Sequence, residues 1–140
     1  MYLLNTTGMT MNHIKEWLEM KNISNQMGIE LIGDLPIFIS HHSADVWSHP
    51  ELFQLDDDGL PTVVAGVPPD YFSETGQKWN TVLYNWEEHE KSNWRWWRER
   101  MARMLRLFDI VRIDHFRGFH SAWAVPRDCL LYTSPSPRDL

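Results

Sequence analysis

The stretch 109–119, DIVRIDHFRGF, decides the fold, because it reads as a buried strand yet places an arginine and an aspartate where apolar side chains are the rule. Side chains two apart on a strand share a face, so Arg112 and Asp114 point one way while Val111 and Ile113 point the other. A carboxylate beside a guanidinium stays ionised at neutral pH, which suits a nucleophile attacking an electron-poor carbon. A structural ion pair explains the same two residues. The residues alone leave both readings open.

Upstream, NWEEHEKSNWRWWRERMARMLRLF (85–108) predicts one helix over about 86–107. Asn85 is the expected N-cap with Glu88 as its capping-box partner. Trp94, Trp97, Met101, Met104, Leu105 and Phe108 form the expected apolar stripe, and the arginines at 95, 98, 100, 103 and 106 a solvated face. IELIGDLPIFI (29–39) predicts a strand apolar on both faces, as in a covered parallel sheet, with Gly33, Asp34 and Pro36 marking its functional end. Residues 11–23 predict a further helix, with Ile14, Trp17 and Leu18 on one side and Gly28 as its stop. Ser40 to Asn80 is rich in turn chemistry and reads as a long ordered loop. Strand, loop, helix and strand make a βαβ unit of α/β class, in which Asp34 and Asp114 converge at the sheet edge that carries active sites.

Composition narrows the function. The 140 residues are 43% hydrophobic and carry a net charge of -6, from 13 basic and 19 acidic side chains, which argues against nucleic acid and anionic membranes as partners. The chain has no apolar run long enough to span a bilayer and no secretory leader pattern, so a cytoplasmic protein with neutral partners is expected. The lone Cys129 cannot form an internal disulfide. Eight tryptophans, four tyrosines and six phenylalanines are a high aromatic content; such rings either fill cores, as most of these are expected to, or form platforms for flat ligands, including the apolar faces of sugars.

Several groups could carry chemistry. GVPPDYFSETGQKWN (66–80) combines stiffening prolines with Tyr71, Phe72 and Trp79 for stacking and Asp70 and Gln77 for hydroxyls; a loop packing its own rings is the alternative. Asp34 reads as a sugar-hydroxyl ligand, the second carboxylate of a glycosidase pair, or a turn cap. His115 follows the candidate nucleophile and is placed to hold a substrate hydroxyl. His41, His42, Asp45 and His49 match no zinc spacing, so no metal is expected. With no Gly-rich phosphate loop and no nucleophile elbow, no cofactor is expected either.

GIELIGDLPIFISHHSADVWSHPELFQLDDDGLPTVVAGVPPDYFSETGQKWNTVLYNWEEH, followed by FDIVRIDHFRGFHSAWAVP, resembles the central part of the 4-α-glucanotransferases, the amylomaltases or disproportionating enzymes of glycoside hydrolase family 77. The likeness runs from about Gly28 to Pro126; residues 11–27 fit loosely, and 1–10 find no place. It implies a slice of a TIM (β/α)₈ barrel, with two neighbouring parallel strands, a long active-site loop and a crossover helix. It also implies transfer of α-1,4-glucan segments with retention at the anomeric carbon. Asp114 then matches the nucleophile, and Arg112 the arginine that orients it and keeps it ionised. Asp34 matches a sugar-binding aspartate, while Asp70, Tyr71, Phe72, Gln77 and Trp79 border the acceptor side. The partners implied are maltooligosaccharides and dextrins.

Two departures accompany the likeness. His42 stands where the family more often has an aspartate, and the family's acid/base glutamate and second essential aspartate are expected beyond residue 126. Residues 1–126 therefore read as a partial catalytic domain. Residues 127–140 read as a non-native tail, since CLLYTSPSPRD resembles a translated sequencing adapter. A polypeptide of this extent is expected to expose sheet edges, to aggregate or stay partly unfolded, and to be inactive alone. A glucan-binding module without chemistry and an α-amylase-like hydrolase are the alternative functions.

Overall fold

The structure, a computed structural model, describes residues 11–71 and 73–129; Phe72 and the expected tail beyond Cys129 lie outside the described residues. In chain order the elements are α1 (Met11–Gln26), β1 (Ile32–Pro36), β2 (Ile39–Ser40), α2 (Ala44–Ser48), β3 (Val63–Val67), β4 (Gln77–Val82), α3 (Trp86–Lys91), α4 (Arg95–Leu107), β5 (Ile110–Asp114) and β6 (Trp123–Pro126). Short 3₁₀ turns occupy Pro50–Leu52 and Phe116–Phe119. The chain divides into two compact units, one of residues up to Pro36 with Ser92–Asp114, the other of Ile37–Lys91 with the residues from His115 on.

In the first unit β1 and β5 pair in parallel, with Ile32 opposite Ile110, Asp34 opposite Arg112 and Pro36 opposite Asp114. The alternation of β1 buries Gly33 and Leu35 and exposes the other three residues. The helix α4 supplies the cover, burying Trp96, Trp97, Met104 and Leu107. The Phe108 ring lies so close to Gly33 that a Cβ there would collide with it, which is the local reason for a glycine in this strand. Trp17 of α1 packs edge-on against Phe108 at 5.4 Å and donates its indole N–H to the Leu107 carbonyl at 2.8 Å. At the start of β5, Asp109 accepts hydrogen bonds from the Leu31 amide and the Asn25 side chain, both at 2.9 Å, and pairs with Lys21 at 3.1 Å. These bonds tie the end of α1 to the strand pair. Gly28, with φ +75°, closes α1 as expected from sequence.

Three expectations change here. Among the described residues, only one face of the strand read as apolar on both is covered, and Ile32 on the other is 65% exposed. The helix read as continuous over 86–107 is broken into α3 and α4, because Asn93 and Trp94 both adopt left-handed backbone, at φ 51° and 57°. The N–H and C=O groups there cannot continue the helical ladder. The stripe shifts accordingly: Trp96 and Leu107 are buried, whereas Trp94 and Leu105 are exposed.

The second unit holds an antiparallel sheet in the order β2-β4-β3-β6. The segment read as a long loop therefore contains a β3–β4 hairpin, together with α2 and a 3₁₀ turn. Its core comprises Ile37, Val64, Ala65, Val82, Leu83, Tyr84 and Val125. The Tyr84 hydroxyl donates to the Ile37 carbonyl, so the buried ring keeps its polar end satisfied. Among the described residues, no helix is long and apolar enough to cross a membrane.

His89 is fully buried in this unit, with Tyr84 edge-on at 5.3 Å and Trp86 at 5.5 Å. Burial holds its imidazole below the ordinary value of 6.5, against smaller upward pulls from the Leu52 backbone and Glu51. The unfolded chain thus takes up a proton first, so stability is full above about pH 6.5 and declines as pH falls below it. The thermal midpoint of a longer chain carrying this unit should drop between about pH 7 and 5.5, and less so in His89→Phe. Equal slopes in the two proteins would remove His89 as the cause.

Candidate active site

The parallel register and the two-residue repeat together place Asp34, Arg112 and Asp114 on one exposed face of β1 and β5. Arg112 donates from Nε to Asp34 Oδ1 at 2.9 Å and from Nη2 to Asp34 Oδ2 at 2.6 Å. That is the two-pronged geometry that fixes a guanidinium plane. Nη2 also reaches Asp114 Oδ1, at 3.4 Å. The pairing of Arg112 with Asp114 read from sequence is present, but the short bonds go to Asp34. Those hydrogen bonds, more than the Arg112 charge, hold the Asp34 carboxyl below the usual carboxylate range, against desolvation, which acts the other way. The arrangement presents two carboxylates to one guanidinium, and Asp114 stands at the C-terminal end of its strand.

Arg100 escaped the sequence reading, which placed it on a solvated helix face. Its Nη2 donates to the Pro36 carbonyl at 2.9 Å, and its guanidinium lies 5.0 Å from the Trp96 ring centre and 5.2 Å from that of Trp97. It holds the last residue of β1, the one opposite Asp114. Only the fold could show that a helix arginine reaches a strand end.

In the second unit, Gln77 and Trp79 lie on β4, where Trp79 donates its indole N–H to Gln77 Oε1 at 3.0 Å. The His115 ring sits edge-on to Trp79 at 5.1 Å and 5.9 Å from Phe38, and its backbone is left-handed, φ 52°. Phe38 was read only as part of an apolar strand, and nothing in its spacing marks it as a neighbour of these rings. Asp70 Oδ1 accepts from the Ser73 amide at 2.8 Å and so shapes the turn, while Tyr71 beside it is 99% exposed. The structure thus assembles Asp34, Arg112 and Asp114 in one unit and Gln77, Trp79 and His115 in the other.

The histidines of the 40s have other partners. His41 Nε2 lies 2.8 Å from the Gly59 carbonyl, His49 lies 3.5 Å from Glu51, and Asp45 is buried in α2. Among the described residues, no three His, Cys, Asp or Glu side chains cluster as a metal site.

A sequence model of the glycoside hydrolase 77 family, described as 4-alpha-glucanotransferase, matches residues 9–134. The 4-alpha-glucanotransferase of Aquifex aeolicus (strain VF5) is 54% identical over 112 residues, 80% of this chain and 23% of that protein. That of Thermus thermophilus is 52% identical over 115 residues, 82% of this chain and 23% of that protein. Among solved structures, the amylomaltase from Streptococcus agalactiae in complex with acarbose matches with a TM-score of 0.83 at 42% identity, covering 89% of this chain and 25% of that one. The chain spans about a quarter of the length of these relatives. With the family model covering most of its length, the chain belongs to the glycoside hydrolase 77 family of 4-alpha-glucanotransferases.

Proposed function

We propose that this chain carries the nucleophile-bearing part of a 4-α-glucanotransferase, with β1 and β5 as neighbouring strands of a (β/α)₈ barrel and residues 1–126 as part of its catalytic domain. The observation that carries the reading is the Asp34–Arg112–Asp114 group on one face of two paired parallel strands. Asp114 attacks the anomeric carbon of an α-1,4-glucan. The glycosidic C–O bond breaks, the leaving oxygen takes a proton from a general acid, and a β-glucosyl ester forms on Asp114. A hydroxyl of a second glucan then displaces the carboxylate and gives up its proton, restoring both groups. Arg112 orients the face, and Asp34, held ionised by it, binds sugar hydroxyls. Tyr71, Phe72 and Trp79 stack on acceptor rings, with Asp70, Gln77 and His115 serving their hydroxyls. A cytoplasmic site of action completes the proposal, although the rice relative is named chloroplastic/amyloplastic.

The family's acid is expected downstream of residue 126, and proton transfer contributes about 10²–10⁴-fold, so the 140-residue polypeptide by itself should show no turnover. The test is a chimera in which the aligned segment of this chain replaces the 112 residues it matches in the Aquifex aeolicus relative. Incubated with maltotriose, it should yield both longer and shorter maltodextrins with no net gain of reducing ends. A net gain would mean hydrolysis and would overturn the reading.

A further inference from the structure

The second unit contains a groove of about 650 Å³ that the reading above does not use. Its walls include His41, His42, Ser43, Trp47, Pro50 and Leu55. Trp47, on α2, is 85% exposed, which is unusual for the largest apolar side chain and gives the groove a bare ring face. No Asp, Glu, Lys or Arg lines it, in a chain whose net charge is -6. A charged ligand would lose its hydration there without gaining a counter-charge, so the lining selects a neutral occupant.

The polar groups present suit hydroxyls. A neutral His41 must carry its proton on Nε2 to donate to the Gly59 carbonyl, which leaves Nδ1 as an acceptor. Ser43 Oγ accepts from the Val46 amide and keeps its own proton to give. The His42 ring stands 5.0 Å from that of His41. One flat apolar wall with donors and acceptors beside it is the complement of a pyranose, which has an apolar face and a hydroxyl rim.

We propose that this groove is a second glucan-binding site, in which a sugar ring stacks on Trp47 while His41, His42 and Ser43 bond its hydroxyls. The choice of a glucan rests on the function proposed above; the groove's neutrality and exposed ring do not. The site would hold a glucan chain by a segment other than the one being transferred, favouring long chains over short ones.

The experiment uses the chimera described above with Asp114→Asn, titrated calorimetrically with maltoheptaose. The expected result is a binding event that weakens about tenfold or vanishes in Trp47→Ala and persists in Trp47→Tyr. Identical isotherms in all three proteins would overturn the proposal. Acrylamide quenching gives an independent reading: the emission lost between the parent and Trp47→Tyr should be quenchable and become protected by maltoheptaose. A Trp47 shielded before sugar is added would show that the remaining polypeptide fills the groove, and the proposal would fail. Turnover of the unmutated chimera reports separately on the proposed function, so the two readings can fail independently.

Discussion

Asp114→Asn in the chimera is expected to lower the transfer rate roughly 10⁴-fold or more, the scale on which loss of an attacking group acts in enzymes that work through a covalent intermediate. Asparagine matches the shape of the carboxylate and can still accept a bond from Arg112. Its neutral amide, however, does not form the glucosyl ester. The short bonds of Arg112 go to Asp34, at 2.6 and 2.9 Å, so the guanidinium stays anchored in the variant. The melting transition should therefore be unchanged while turnover disappears. That combination separates the catalytic reading from the structural one, which predicts the reverse order of effects. Transfer persisting within a few-fold of the parent would place the nucleophile elsewhere.

Gly76→Ala should have the largest effect on stability. Gly76 is buried at the end of the β3–β4 connection with φ +71°, and a Cβ there would stand 2.5 Å from the Val67 carbonyl oxygen and 3.0 Å from Pro68 and Pro69 backbone atoms. Left-handed backbone costs an alanine about 1 kcal/mol, and forcing backbone apart adds roughly 1–3 kcal/mol more. Proline stiffens the obstructing side, so the connection has little room to yield. Gly59→Ala is the control, because Gly59 has φ +74° with nothing within 4 Å of the added carbon. Denaturant unfolding of the two chimeras should show Gly76→Ala costing about 2–4 kcal/mol and Gly59→Ala about 1 kcal/mol. Equal losses would mean that the connection adapts and that the conformational cost alone operates.

How far the fold was legible depended on the range of the interactions that set it. The parallel pairing of the strands in 29–39 and 109–114 followed from apolar runs joined by a helical segment, and β1 and β5 pair accordingly. The stop at Gly28 followed from a property of one residue type. The hairpin within 40–80 did not emerge, because β4 reads QKWNTV with only Val82 buried, a pattern without alternation. It is a strand because β2 and β3 flank it. The break at Asn93 and Trp94 was not read either: asparagine tolerates left-handed backbone, but the apolar spacing continued through Trp94 and favoured one helix.

The candidate site divides along the same line. By itself the sequence determined that Arg112 and Asp114 share one face of their strand, because a period of two is a local property of extended backbone; that Asp34 joins them on that face is set by the register between β1 and β5. The sequence's likeness to a family supplied the roles proposed for those residues. Only the tertiary structure decided that Arg112 directs its fork to Asp34 rather than to its own strand neighbour, that Arg100 reaches the Pro36 carbonyl, and that His115 meets Trp79 and Phe38. The reason is physical: each of these contacts depends on the register and approach of segments distant along the chain, which the collapse of the whole unit sets and no local pattern encodes.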